Sequence, residues 1–392
     1  MSDLPTTHAQ EAAQLGPQAA SPHRLTRHRK ALLALTLTGI SAIAVFGFLA
    51  SGGNESPAAG SHDGLVRGTI WVANEDGGSL TAIDAGMNRV VATVQGVEGP
   101  HNVQVAPDGR TVWAVSGHDS MAVMLDSRTM ELHGAVTTGA APAHVVVTPN
   151  GEMTYTTNGA DNTVTAIDST TMKVVATIPV GAGPHGLRPS PDGKWVYVAN
   201  VSGTTLSVID TASNERVADV EVGKAPAQVA FAPDGRYVYA SITAENAVAK
   251  VDVRTQRMVS KITVGPGPIQ TYASPDNRLL LVANQGSEKS PGTTVSVVDT
   301  QSFTTLATVE SGQGAHGVVI DPSSRHAYIT NMFGDDVSVL DLKELKVVAR
   351  VKVGDKPNGV SFSPVIVQEQ PPVTIEMPHG NAKVDGHTGE GH

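Results

Sequence analysis

An aspartate recurs at positions 84, 126, 168, 210, 252, 299 and 341, in steps of 42, 42, 42, 42, 47 and 42 residues. Each closes an apolar run, as in Ile83-Asp84, Ile167-Asp168, Ile209-Asp210 and Leu340-Asp341. A period of this size means stacked supersecondary units, none of which can bury its apolar face alone. The unit from Trp195 to Arg236 reads most clearly. Alternating β-branched and small residues predict strands over Val196–Ala199, Leu206–Ile209, Val217–Val222 and Gln228–Phe231. Asn200 and Gly203 suit a hairpin bend, and Pro233-Asp234-Gly235 suits a turn with proline at its second position. The repeated aspartate reads as an Asx cap of its own turn, since no catalytic group is needed seven times.

The turn proline recurs at Pro107, Pro149, Pro191, Pro233, Pro275, Pro322 and Pro364, which completes seven units. The fold class expected is therefore all-β, a seven-bladed β-propeller of four-stranded blades over residues 68–364. The array begins with the second strand of a blade (Thr69–Ala73) and ends with a first strand (Gly359–Ser363). The last strand should then lie innermost in the blade whose outer strands come from the first repeat, closing a monomeric ring.

The segments Val198-Ala199-Asn200, Thr156-Thr157-Asn158 and Ile329-Thr330-Asn331, with the aspartate and Pro-Asp-Gly signals that follow, resemble the YVTN β-propeller repeat family. The resemblance implies the propeller fold and an extracytoplasmic or surface-layer-like setting. Similar propellers include lactonases and copper- or haem-containing reductases. This chain departs from the pattern in places. The second unit reads Ala114-Val115-Ser116, without the asparagine. The sixth carries a five-residue insertion around Gln285–Pro291 and replaces Pro-Asp-Gly by Pro322-Ser323-Ser324.

Residues 1–30 read as a polar, disordered leader ending in the basic cluster Arg27-His28-Arg29-Lys30. Residues 31–50 carry no charge, enough for a helix of about 30 Å, the depth of a bilayer's hydrocarbon core. An uncleaved transmembrane anchor and a cleaved signal peptide are both open. Either puts the propeller outside the cytoplasmic membrane, in the periplasm or at the cell surface, with the basic cluster inside. Residues 51–67 read as a flexible tether. Residues 365–392 read as a disordered tail in which Met377, His379, His387, Glu390 and His392 could hold copper or zinc loosely.

The chain has no cysteine, which removes thiolate metal sites, covalent haem attachment and any cysteine nucleophile. A net charge of −10 argues against nucleic-acid binding. Chemistry should sit where the repeat varies. At the start of each inner strand the two positions after the lead-in residue, proline in six units and Ala315 in the other, read His101-Asn102, Ala143-His144, His185-Gly186, Ala227-Gln228, Ile269-Gln270, His316-Gly317 and Asn358-Gly359. Every unit thus offers one imidazole or amide at one rim of the central channel. His101, His144, His185 and His316 are candidate ligands for copper or zinc. Against this, the four are split between two adjacent positions, which in a regular strand point oppositely. They could equally brace the loops.

Further along the same strands, Gln104, Arg188 and Tyr272 should face the channel. With Asn102, Gln228, Gln270 and Asn358 they are candidate ligand-binding residues. Arg188 could hold a neighbouring carbonyl or carboxylate, or an anionic ligand. The leading expectation is a non-enzymatic, membrane-tethered binding or scaffold protein that takes a cell-envelope protein or small ligand at the rim. The alternatives are a metal-binding envelope protein or metalloenzyme using those histidines and, by fold analogy alone, a lactonase-like hydrolase.

Overall fold

The computed structural model describes residues 66–378, all within one compact unit, Ser61–His392. The expected leader, the apolar segment 31–50 and the last fourteen residues lie outside the described residues. Among the described residues no helix is long and apolar enough to cross a membrane.

Seven antiparallel sheets follow one another around the chain. The fourth, made of Pro184–Pro189, Trp195–Asn200, Thr205–Asp210 and Glu215–Glu221, shows the common plan, with strands in chain order from the inside outwards. Closure follows the sequence reading. Pro357–Ser363 pairs antiparallel with Thr69–Asn74, so the C-terminal strand is innermost in the blade begun by the N-terminal repeat. The repeated aspartates cap as expected. Asp210 Oδ1, for example, accepts the backbone N–H groups of Ala212 and Ser213, both at 2.9 Å.

One position of the second strand supplies the packing between blades. Trp71, Trp113, Tyr155, Tyr197, Tyr239 and Tyr328 occupy it, with Leu281 in the sixth blade, and all are buried. Burying each of these side chains is worth roughly 1.5–3 kcal/mol. The repeated asparagine does more than bend a hairpin. Asn200 ends the second strand, and its Nδ2 donates to Thr205 Oγ1 and Ser207 Oγ, both at 3.0 Å. Asn74, Asn158, Asn284 and Asn331 make the same fork to the third strand. Ser116 and Ile242 stand in its place in the second and fifth blades. The insertion of the sixth unit lengthens a hairpin, Leu279–Ser287 with Ser290–Asp299. At Pro322-Ser323-Ser324, between the first two strands of the seventh blade, Asp321 takes over the turn, accepting from the backbone N–H groups of Ser323 and His326.

Two boundaries differ from expectation. Val66, placed in the tether, is buried beside Ile70 and Ala85. Residues 365–378, placed in a disordered tail, form a strap across the closing blade. Val373–Thr374 pairs parallel with the outer strand Arg89–Gln95, and Val367 and Ile375 are buried. Met377, expected as a loose metal ligand, packs against the apolar cluster of the first two blades. Periodicity does not reveal this strap because it belongs to no repeat.

Candidate functional site

A regular strand would send adjacent residues to opposite faces. The inner strands are not regular at their start. The pairing register slips between Pro142 and Val145, Pro184 and Leu187, Pro226 and Gln228, Pro268 and Thr271, and Ala315 and Val318. Each slip is a bulge, which bends the strand and re-aims side chains. The histidines of the two adjacent positions therefore meet at one axial mouth.

His101 Nε2 and His185 Nε2 are 3.1 Å apart. The His144 ring lies 4.6 Å from that of His185 and 5.4 Å from that of His101, centre to centre. One nitrogen from each of the three lies within 4.8 Å of the others. Ligand nitrogens around a tetrahedral ion with bonds near 2.0–2.1 Å stand about 3.4 Å apart, so gathering all three on one ion needs side-chain shifts on the order of an ångström. His316 is a neighbour rather than a member, its ring 6.0 Å from that of His101.

The surroundings prepare these rings as ligands. His185 Nδ1 is 2.9 Å from the Ala227 carbonyl, so its proton resides there and Nε2 keeps its lone pair. His144 is fully buried, and among the described residues its Nε2 has no hydrogen-bond partner. A buried polar atom left unpaired is costly, and a bound ion would satisfy it. Burial, followed by the neighbouring imidazoles, drives His144 well below the usual histidine range. Burial and the His101 charge bring His185 down to about 4, and burial with His101 and His185 brings His316 to about 3. These three rings are neutral at pH 7, which suits ligation and unsuits them as general acids.

Amides and one carboxylate complete the ring. Asn358 Nδ2 is 2.9 Å from His101 Nδ1 and donates to Glu75 Oε2 at 2.6 Å. Gln228 Nε2 lies 3.4 Å from His144 Nδ1, and Gln270 Nε2 the same distance from His316 Nδ1. Glu75 Oε2 is 3.4 Å from His101 Nδ1. Burial pushes this carboxyl up, but hydrogen bonds from His101 and Asn358 and the nearby charges of His101 and Lys356 outweigh it, bringing it down to about 2. Glu75 follows the strand Thr69–Asn74 and was not among the residues singled out from the sequence. A signal was present, since its counterparts Gly117, Gly159, Val201, Thr243, Gln285 and Met332 carry no charge.

Thr157 fixes two of the three histidines. Its Oγ1 accepts the His144 backbone N–H at 3.1 Å and donates to the His185 carbonyl at 2.8 Å, joining neighbouring blades.

Other candidates fall elsewhere. Asn102 is buried, and its Oδ1 accepts the Val145 N–H at 3.3 Å, so it joins two blades instead of facing a ligand. Gln104, Arg188 and Tyr272 line a separate cavity of about 520 Å³, which also touches the turn prolines Pro107, Pro233, Pro275, Pro322 and Pro364. Those prolines follow the inner strands, so this cavity occupies the end of the channel away from the histidine mouth.

The architecture and this mouth define a class: a seven-bladed propeller with a polar, imidazole-lined axis. The family model of the YNCE-like β-propeller matches residues 115–368, and the chain belongs to that family. No curated protein matches it in sequence. Among solved structures, hydrazine synthase of Kuenenia stuttgartiensis is similar at 24% identity and a TM-score of 0.63, over 68% of this chain and 90% of that one. A functionally unknown protein from Desulfotomaculum acetoxidans is similar at 15% identity and a TM-score of 0.66, over 76% and 99%. The dihydro-heme d1 dehydrogenase NirN, in complex with DHE, is similar at 18% identity and a TM-score of 0.57, over 73% and 63%. At these identities the likeness is one of fold.

Proposed function

We propose that this propeller is a binding protein for one transition-metal ion, copper or zinc, held at the axial mouth by His101, His144 and His185. The observation that carries the reading is the convergence of three imidazoles on a site where His144 Nε2 is buried without a partner. Nitrogen ligands without thiolate suit copper(II) and zinc, with copper(II) the tighter of the two. Glu75 would orient His101 from behind, as carboxylates do for metal-bound histidines. The uncharged segment 31–50 and the basic cluster before it support a place outside the cytoplasmic membrane, tethered to it or released from it. The role is binding rather than turnover. The hydrolase alternative rests on fold analogy alone and is carried no further.

The test is elemental analysis and calorimetry on untagged protein in which His379, His387 and His392 are replaced by alanine, so that the C-terminal histidines contribute nothing. One copper or zinc per chain is expected, lost when His101 and His185 are both changed to alanine. No stoichiometric metal, or binding that survives the double replacement, would refute the reading and leave the imidazoles as braces of their loops.

A further inference from the structure

The cavity at the other end of the channel has a different chemistry. Its wall is mostly aliphatic and aromatic, including Val146, Ala230, Phe231 and Val319, and it contains no acidic side chain. Arg188 is the cation in it. The guanidinium makes a single hydrogen bond among the described residues, a long one of 3.4 Å from Nη1 to the carbonyl of its own neighbour Leu187. Among the described residues no carboxylate acts on it, and the titratable groups that do are Tyr272 and, from the histidine side, His144. A guanidinium carries five donor hydrogens in a planar fork, so most of Arg188's capacity is unused. Arg188 is half-buried, and a cation partly withdrawn from water without a counter-charge gains when a ligand supplies the charge.

The polar groups beside Arg188 complete a recognisable pattern. Tyr272 lines the same cavity, and its hydroxyl has no hydrogen-bond partner among the described residues. Burial pushes its phenol up while Arg188 pulls it down, so it stays protonated and able to donate. Gln104 gives its amide hydrogen to the Val105 carbonyl at 3.0 Å, and Ser361 accepts the Val105 N–H at 3.0 Å. These two are already engaged in holding the wall. One fork and one hydroxyl in an apolar bowl match a single negative charge on an apolar body. The volume lies within the range of small-molecule pockets, about 300–1,000 Å³.

We propose that this cavity is a second binding site, for a small organic monocarboxylate whose carboxylate is held by Arg188 and Tyr272 and whose apolar part fills the bowl. The site contains none of the three histidines and takes no metal.

Calorimetric titration with 1-naphthoate and with its neutral amide, 1-naphthamide, tests this on the wild-type protein. One saturable site per chain is expected for the acid, at least about tenfold tighter than for the amide, the factor one charge-assisted hydrogen bond contributes. Arg188→Met should weaken the acid by about tenfold or more and leave the amide unchanged. Arg188→Lys, which keeps the charge, should recover part of the loss and separates lost recognition from a misfolded variant. His101→Ala with His185→Ala should leave naphthoate binding intact, so failure of the metal reading does not touch this one. Equal binding of acid and amide, binding indifferent to Arg188→Met, or no saturable binding of 1-naphthoate up to about 5 mM would overturn the proposal.

Discussion

His101 and His185 stand 84 residues apart in the chain and 3.1 Å apart at Nε2. That separation is two repeats, and it arises because the ring brings the starts of all inner strands to one axis. His101 Nδ1 lies 2.9 Å from Asn358 Nδ2 and 3.4 Å from Glu75 Oε2, while its Nε2 faces His185. With its hydrogen on Nδ1 toward Glu75, His101 would offer the Nε2 lone pair to a metal ion at this point.

Glu75 therefore has a measurable task. Glu75→Gln keeps the shape and an acceptor for Asn358 but removes the charge behind His101. Affinity for copper(II) or zinc should fall by about 10- to 100-fold, the usual cost of losing such an orienting group, with the melting temperature of the metal-free protein little changed. Competition titration against a chromophoric chelator measures it. An unchanged affinity would make Glu75 a partner of Asn358 alone.

Thr157 offers a second handle, because one hydroxyl serves His144 and His185 together. Thr157→Val is close in shape and leaves a buried N–H and a buried carbonyl without their partner. Stability should fall by about 1–3 kcal/mol. Metal affinity should fall as well, since the two ligands are no longer held in register. Thr330, which joins Gly317 to Asn358 in the same way, is the control. Thr330→Val should cost similar stability while leaving metal affinity less disturbed.

The fold was legible because it is written seven times. Aspartate caps, turn prolines and the order of strands each repeat, and a sevenfold coincidence leaves one architecture. The site was only half legible. Its histidines stood out as the variable positions on a constant scaffold, yet the two-residue period of a strand forbids His144 and His185 from facing one way. The bulges that bring them together begin at the lead-in proline, or at Ala315, a residue read from the sequence only as a rigid entry to the strand. Asn102 illustrates the reverse error. It occupies the same position as His144 but turns to the Val145 N–H of the next blade. Arg188 lines the axial cavity, but sequence distance along a strand did not say that the three positions from His185 to Arg188 separate two different mouths.

The repeated aspartates give the protein an acid-sensitive term whose sign can be worked out. Asp168, Asp252 and Asp299 are all held below the ordinary aspartate value, first by a backbone N–H, from Thr171, Thr255 and Ser302 respectively. A carboxyl depressed in the folded state stabilises the fold above its unfolded value, and that contribution is lost as pH falls through the folded value. Replacing all three by asparagine keeps the accepting oxygen and removes the titration. The drop in melting temperature between about pH 5 and about pH 3 should be smaller in the triple variant than in the wild type. An equal drop in both would place the acid sensitivity elsewhere.

The strap at 365–378 invites the last experiment, because the blade it covers is the one that closes the ring. Its hold is local: the Ile375 N–H reaches the Gln95 carbonyl at 2.9 Å, Val373–Thr374 pairs with Val94 and Gln95, and Arg89 meets Glu369 at 2.8 Å. Gly96 lies beneath with φ of +92°, and a Cβ there would strike the Ile375 carbonyl oxygen. Gly96→Ala should therefore lift the strap without touching the inner strands. Freed, the segment exposes the edge of Arg89–Gln95, the kind of edge that recruits other strands. Limited proteolysis should cut the variant near residues 368–376 while the ring stays intact, and the variant should aggregate at concentrations the wild type tolerates. Wild-type resistance retained in Gly96→Ala would show that the strap is held by its buried Val367 instead of by the pairing at Gly96.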